Sequence, residues 1–131
     1  MTVGGSGALW QLAEDNLKAA RLCHLKGFYR VAVSRYYYAV KYAAQAVLLH
    51  TKQIQIKSHR QLRIVFGLEL VKTGKICAKW GKELSRLYEL RKDADYSLLA
   101  SIDQATADDV FTRATDFLNR MRPLVSTVPA S

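Results

Sequence analysis

The feature that most constrains the fold is the run of residues 28–49, in which apolar side chains recur every three or four positions. That spacing places them on one face of an α-helix, where they can be buried together. The face consists of Val33, Tyr37, Val40, Ala44 and Val47. Three more tyrosines, Tyr36, Tyr38 and Tyr42, lie around the helix, and no Asp or Glu occurs between Gly27 and Lys57. We therefore predict a central helix with one buried face and a basic, aromatic remainder.

Four other stretches have the same helical period and predict four further helices. The first runs from Leu9 to Lys26 and is ended by Gly27, and a loop is predicted for residues 51–57. The later helices occupy roughly residues 58–73, 76–96 and 106–122, with Pro123 ending the last. Capping-box spacing occurs twice, in the pairs Ser58 with Gln61 and Thr106 with Asp109. The chain is therefore expected to be all-α.

At 131 residues the chain is long enough for one core, so we predict a single domain over residues 9–123. A glycine-rich arm at residues 1–8 and a tail at 124–131 are expected to be flexible. The uncharged stretches 1–13 and 42–51 are shorter than the roughly 18 residues that a membrane span requires. No signal-peptide pattern, glycine-rich phosphate loop or metal-ligand spacing occurs. These absences predict a cytoplasmic protein without a cofactor or a metal.

Charge is distributed unevenly along the chain. Residues 16–82 contain fourteen Lys and Arg against one acid, Glu69, whereas the other residues contain six basic residues against ten acids. The net charge of +9 therefore comes from a strongly basic region. Such a field attracts phosphates or an acidic protein, and by itself it does not distinguish the two.

Candidate chemistry is confined to polar residues on helices that should face one another. Arg91 and Asp95 are one helical turn apart and can pair, either as a solvated ion pair or as a partly buried one, because Arg91 continues the apolar side of its helix. His59 is the first residue of a helix, where it could be solvated or functional. Four tyrosines cover most of the circumference of the central helix, so at least one must lie outside the core, at a partner interface or as a stacking surface.

Four segments in this order resemble the HEPN family of small helical proteins, especially its short single-domain prokaryotic branch. The segments are LKGFYRVAVSRYYYAVKYAAQAVLL, KSHRQL, LRKDADY and ATDFLNRM, which match the family patterns G-x-Y with A-x-S-R-x-Y-Y-A, a basic residue before His, R-x-x-A-D-Y, and A-x-x-F. The resemblance spans Leu12 to Met121. It implies an up-and-down four-helix bundle with an additional short helix, usually a homodimer. It also implies a partner, a minimal nucleotidyltransferase that acts as antitoxin to an RNA-cutting helical toxin.

Active members of the family cleave RNA without metal through an arginine followed, after four to six residues, by a histidine. No arginine precedes His24, His50 or His59 at that spacing in this chain. Lysines occur at about the right separation, but a lysine lacks the bidentate fork of arginine. In the segment that follows Arg91, Asp95 and Tyr96 occupy the place expected for a histidine, and a carboxylate cannot replace the imidazole.

Three hypotheses follow from these observations. In the first, the protein is a HEPN-like module that binds nucleic acid, a nucleotide or a nucleotidyltransferase partner. Its candidate binding residues are Arg30, Ser34, Arg35, Tyr38, Lys41, Arg60 and Arg63. In the second, it is a metal-independent ribonuclease toxin that uses Arg91, Asp95, Tyr96 and His59. In the third, it is a structural assembly protein whose basic face meets an acidic protein.

Overall fold

A computed structural model of the chain describes residues 4–98 and 100–126, and this part contains five α-helices and no strand. The helices are α1 (Gly4–Leu25), α2 (Tyr29–Lys52), α3 (His59–Phe66), α4 (Ala78–Tyr96) and α5 (Gln104–Val125). A π-helical turn, Gly67–Val71, continues α3. The long helices α1, α2, α4 and α5 form the bundle, and α3 is the additional short helix. The predicted all-α fold is confirmed.

Helix α2 lies at the centre and packs along α1, α4 and α5. All five apolar positions that define its predicted face are at most 2% exposed. The other helices bury apolar side chains against it, among them Phe66 on α3, Leu84 on α4 and Phe117 on α5. None of the helices in the described part of the chain is both long and apolar enough to cross a bilayer.

The first helix starts earlier than its composition predicts. We expected a flexible arm through residue 8, whereas α1 begins at Gly4. Glycine disfavours helix by about 1 kcal/mol per residue relative to alanine, so packing must offset that tendency. Gly5 allows the backbone to approach α2 closely, because a Cβ built there would lie 3.0 Å from Leu49 Cδ2. Ser6 is buried in the same turn, with its Oγ 3.4 Å from His50 Nδ1.

The last helix continues past the proline that was expected to end it. Pro123 lies inside α5, which runs on to Val125. Leu124 and Val125 pack against the core, and this contact favours one more turn despite the missing proline N–H. The rest of the predicted flexible tail, residues 127–131, lies outside the described part of the chain.

Of the two predicted capping boxes, one forms in part, with the return bond to Lys57 instead of Ser58, and the other is wrong. The Ser58 hydroxyl accepts from the amide of Gln61 at 3.1 Å, while the Gln61 side chain accepts from the Lys57 amide at 2.8 Å. The box predicted at Thr106 and Asp109 does not form. Instead, Asp103 caps α5 and accepts from the amide of Thr106 at 2.9 Å. An aspartate three residues upstream fits the same cap geometry, so the helix begins at Gln104.

A buried polar network joins α1, α2 and α5. His24, on the last turn of α1, is 6% exposed. Its Nδ1 lies 2.7 Å from the hydroxyl of Tyr36 on α2, and its Nε2 lies 2.7 Å from Asp108 Oδ1 on α5. Burial raises the pKa of Tyr36, so its hydroxyl keeps its proton. The histidine therefore links two helices through both ring nitrogens.

Candidate nucleic-acid interface

Four of the residues predicted for the site meet where α2 packs against α4. Arg91 on α4 donates from Nη2 to the hydroxyl of Tyr38 on α2 at 2.6 Å. Arg91 Nε also lies 3.0 Å from Asp95 Oδ2, one turn further along α4. Ser34 on α2 donates to the same carboxylate oxygen at 3.3 Å. The i,i+4 pair predicted on α4 is thus present, and it is joined to α2.

The Arg91 side chain is 16% exposed. Of the two alternatives for its ion pair with Asp95, solvated or partly buried, the structure therefore has the partly buried one. Its Nε–H is close to Asp95 but is not aimed at it, and Nε has no hydrogen-bond partner among the described residues. Burial opposes the positive charge, yet the Tyr38 hydroxyl and the Asp95 carboxylate together raise the pKa of Arg91 above its usual value. Arg91 is therefore a fixed cation held between Tyr38 and Asp95.

Aromatic rings and further cations surround Arg91. Its guanidinium carbon lies 5.2 Å from the ring centre of Tyr38 and 5.4 Å from that of Tyr96, which is 71% exposed. The guanidinium of Arg35 lies 4.6 Å from the Tyr38 ring on the same helix. These distances are within the range of cation–π attraction.

Lys41 extends this arrangement along α2. Its Nζ lies 5.4 Å from the Tyr38 ring and 5.7 Å from the Tyr42 ring. Burial, followed by repulsion from Arg91, lowers the pKa of Lys41. We call this surface the basic–aromatic face. Its members are Arg35, Tyr38, Lys41, Tyr42, Arg91 and Tyr96.

The four tyrosines in the middle of α2 divide between the core and this face. Tyr36 and Tyr37 are at most 2% exposed, whereas Tyr38 and Tyr42 are half-buried. Tyr42 was not among the predicted site residues. Its position one turn after Tyr38 was the signal that could have identified it, because residues at i and i+4 share a helix face.

His59 belongs to a second cleft rather than to the basic–aromatic face. The ring of the buried Tyr37 has the Arg91 guanidinium 6.0 Å from its centre and the His59 ring centre at 5.9 Å. The Tyr37 hydroxyl is 2.8 Å from His59 Nδ1, and the imidazole stacks on Tyr88 with ring centres 3.6 Å apart. Burial, followed by the positive charge of Arg63, lowers the pKa of His59 to about 4. The imidazole is therefore neutral at pH 7.

This second cleft lies between the start of α3 and the middle of α4 and has a volume of about 420 Å³. We call it the α3–α4 cleft. Its lining residues are His59, Arg60, Arg63, Ser85, Tyr88 and Glu89. It therefore contains the two remaining predicted arginines. Tyr88 and Glu89 were not predicted, although Tyr88 precedes Arg91 by one helical turn.

Arg30 is not on either surface. Its guanidinium donates to the backbone oxygens of Asp93 at 3.2 Å and Ala94 at 2.9 Å, and to that of Ala100. These three carbonyls belong to the end of α4 and the connection to α5. The arrangement gives Arg30 a structural role in holding that connection against α2.

The described residues contain no group of three or more His, Cys, Asp or Glu side chains that could hold a metal ion. The chemistry available at the two surfaces is therefore that of fixed cations, aromatic rings, hydroxyls, one neutral imidazole and two carboxylates. Such groups can bind phosphates and stack on bases.

Comparison with known proteins identifies the family. The profile of the HEPN domain matches residues 6–124, which is most of the chain. The chain belongs to the HEPN family. The matched range of this HEPN protein includes α2, α3 and α4, nearly all of α1 and α5, and both surfaces described above.

Three relatives of this HEPN protein illustrate the relationship. Two are Methanocaldococcus jannaschii proteins. "Putative toxin MJ0605" is 34% identical over 92% of this chain and 89% of its own, and "Putative toxin MJ0142" is 32% identical over 87% of this chain and 77% of its own. A Thermotoga maritima protein named "UPF0332 protein" is 35% identical over 72% of this chain and 70% of its own.

Proposed function

We propose that this HEPN protein binds single-stranded RNA on its basic–aromatic face and is the helical half of a toxin–antitoxin-type pair. The observation that carries the RNA-binding proposal is the set of three cations, Arg35, Lys41 and Arg91, placed over tyrosine rings. Proteins that bind single strands combine the same two elements, a positive surface that follows the backbone and aromatic rings on which bases stack.

The charge balance of the face favours a polyanion. Helix α2 contains no acid, and Asp95 is the one carboxylate that contacts the cations of this face among the described residues. A phosphate oxygen is a suitable acceptor for a guanidinium, because charge-assisted hydrogen bonds are about twice as strong as neutral ones.

The toxin–antitoxin part of the proposal is supported by the relatives, two of which are named putative toxins. The pairing with a minimal nucleotidyltransferase and the cytoplasmic location are proposals that rest on the family resemblance.

The homodimer is a third proposal that rests on the family resemblance. Light scattering on the purified protein tests it: we expect twice the chain mass of 14.8 kDa, and a monomer would contradict the dimer.

The RNA-binding proposal predicts a specific effect of removing charge from the face. In the double variant Arg35→Gln, Lys41→Gln, we expect the affinity for a labelled single-stranded RNA to fall about tenfold or more, since each lost cation removes a phosphate contact. The slope of log affinity against log salt should also decrease in magnitude by about 1.4, because each phosphate contact on a single strand contributes about 0.7. Fluorescence anisotropy at several salt concentrations measures both quantities.

A matched control removes the same charge elsewhere. Lys72 and Lys75 are exposed in the connection before α4. The first residue of α4 lies roughly 20 Å along the helix from Arg91. The double variant Lys72→Gln, Lys75→Gln should keep the slope and nearly all of the affinity. Equal losses in the two double variants would show that only net charge matters and would contradict a defined face.

The same material tests the ribonuclease alternative. Wild-type protein and Arg91→Ala are incubated with labelled RNA in the presence of a chelator. We expect binding without cleavage, because His59 lines the α3–α4 cleft, which Arg91 does not line, and is a weak base with a pKa of about 4. Cleavage by the wild type alone would replace the binding proposal with a metal-independent ribonuclease. Absence of RNA binding would instead favour an acidic protein partner.

A further inference from the structure

We infer that the α3–α4 cleft binds the phosphorylated end of an RNA strand whose body lies on the basic–aromatic face, an inference that rests on the proposed RNA binding. The cleft volume of about 420 Å³ is within the usual range of ligand pockets and suits one nucleotide.

Two guanidiniums are available for the phosphate. Arg60 and Arg63 are three residues apart on α3, so their side chains are neighbours on one helix face. Both are exposed, and within the described part of the chain neither forms an ion pair with a carboxylate. Two planar, permanently charged forks on one side of a cleft match the oxygens of a terminal phosphate.

His59 adds a hydrogen-bond donor on the same side. Burial raises the pKa of Tyr37, so its hydroxyl keeps a proton. That proton has no other acceptor among the described residues than His59 Nδ1, at 2.8 Å. The tyrosine therefore donates, and the single proton of the neutral imidazole must be on Nε2, at the far side of the ring. An Nε2–H in a cleft with two arginines is a donor suited to an anionic oxygen.

The acid in the cleft selects a nucleotide over inorganic phosphate. Glu89 would repel a bare phosphate, although Lys92 Nζ lies 3.2 Å from its Oε1 and reduces the repulsion. A carboxylate accepts hydrogen bonds and donates none. A ribose supplies hydroxyl donors beside its phosphate, and the 2′-hydroxyl is the group that distinguishes RNA from DNA.

The cleft and the face are adjacent. The ring of Tyr37 lies 5.4 Å from that of Tyr38 on the face and 5.7 Å from that of Tyr88 in the cleft. On α4, Tyr88 and Arg91 are one helical turn apart. A strand whose end lies in the cleft can therefore continue across this boundary onto the face.

The test compares short RNAs of one sequence that differ only at their ends: a 5′-phosphate, a 3′-phosphate, or hydroxyls at both ends. We expect wild-type protein to bind one phosphorylated form about tenfold more tightly than the hydroxyl form. In Arg63→Gln the ratio between the affinities for the phosphorylated and the hydroxyl form should fall to about one. The matched control is Lys72→Gln, which follows the π-helical turn after α3, does not line the cleft and should keep the preference.

The outcomes separate this inference from the proposed function. If wild-type protein binds all three RNAs equally, the cleft inference is overturned and the RNA-binding face stands. If uridine 5′-monophosphate alone binds as tightly as the phosphorylated strand, the ligand is a free nucleotide and the strand-end inference is overturned. The imidazole NMR signal of His59 provides an independent readout. It should shift with the phosphorylated RNA and stay unchanged with inorganic phosphate at the same concentration.

Discussion

The variant His24→Ala is expected to lower the free energy of unfolding by about 3 kcal/mol. The change removes a nearly buried ring and leaves a cavity between α1, α2 and α5. It also leaves the hydroxyl proton of Tyr36, a fully buried residue, without its acceptor at 2.7 Å. An unsatisfied buried hydroxyl alone costs about 1–3 kcal/mol. Urea unfolding followed by circular dichroism measures the change.

A second histidine provides the matched control. His50 lies in the last turn of α2, as His24 lies in the last turn of α1, but it is only half-buried and its contact with Ser6 is longer, at 3.4 Å. His50→Ala should therefore destabilise the protein by less than about 1 kcal/mol. Tyr36→Phe, which removes the hydroxyl and keeps the ring, should give an intermediate value. Similar losses of stability in the two histidine variants would contradict a special contribution from the hydrogen bonds of His24 to Tyr36 and Asp108.

Acidification from pH 7 to pH 4 is expected to destabilise the fold through His59 by up to about 3 kcal/mol. The pKa of His59 falls from 6.5 to about 4 on folding. Between these values the unfolded chain binds a proton at this residue and the folded chain does not, so stability falls as the pH falls. Below about pH 4 the folded histidine is protonated as well, and this contribution to the slope ends. The full shift would correspond to about 1.4 kcal/mol for each pH unit between the two pKa values. Solvent screening at this partly exposed ring and the end of the titration at pH 4 keep the expected loss below that total.

The variant His59→Gln isolates this effect, because glutamine is polar and does not titrate. Unfolding free energies of both proteins are measured at intervals between pH 7 and pH 4. The difference between the two curves should change across this window and be flat above it. The hydrogen bond from the Thr106 amide lowers the pKa of Asp103. The stability that Asp103 contributes is lost only as the pH falls below about 4. Both proteins contain Asp103, so its effect cancels in the difference. Parallel curves would contradict a neutral, partly buried His59.

Local sequence patterns were sufficient to predict the helices and the buried face of α2. Periodicity predicted the face of α2 because burial in a bundle repeats with the helical turn. It could not predict that α1 begins at Gly4, because that turn is stabilised by contact with Leu49, distant in sequence. For the same reason Pro123 was expected to end α5, since packing of the residues after it is invisible to local rules.

The candidate site shows the same limit. The pair Arg91 and Asp95 could be predicted because both residues lie one turn apart on one helix. The hydrogen bond from Arg91 to Tyr38 joins residues 53 positions apart, and the contact of His59 with Tyr37 spans the loop after α2. Arg30 was predicted to bind nucleic acid because of its charge alone. Its three carbonyl acceptors lie more than sixty residues away along the chain, and no local pattern encodes them.

The connection between α1 and α2 is only three residues long, and this short loop favours early formation of the α1–α2 hairpin during folding. Residues that are close in sequence meet quickly, because closing a short loop loses little entropy. The α1–α2 hairpin is therefore expected to form first, with Gly27 at φ +85° making the turn between the two helices. Until α4 and α5 arrive, the apolar face of α2 stays open to water. The nascent hairpin is thus the stage at which this chain is most exposed to aggregation.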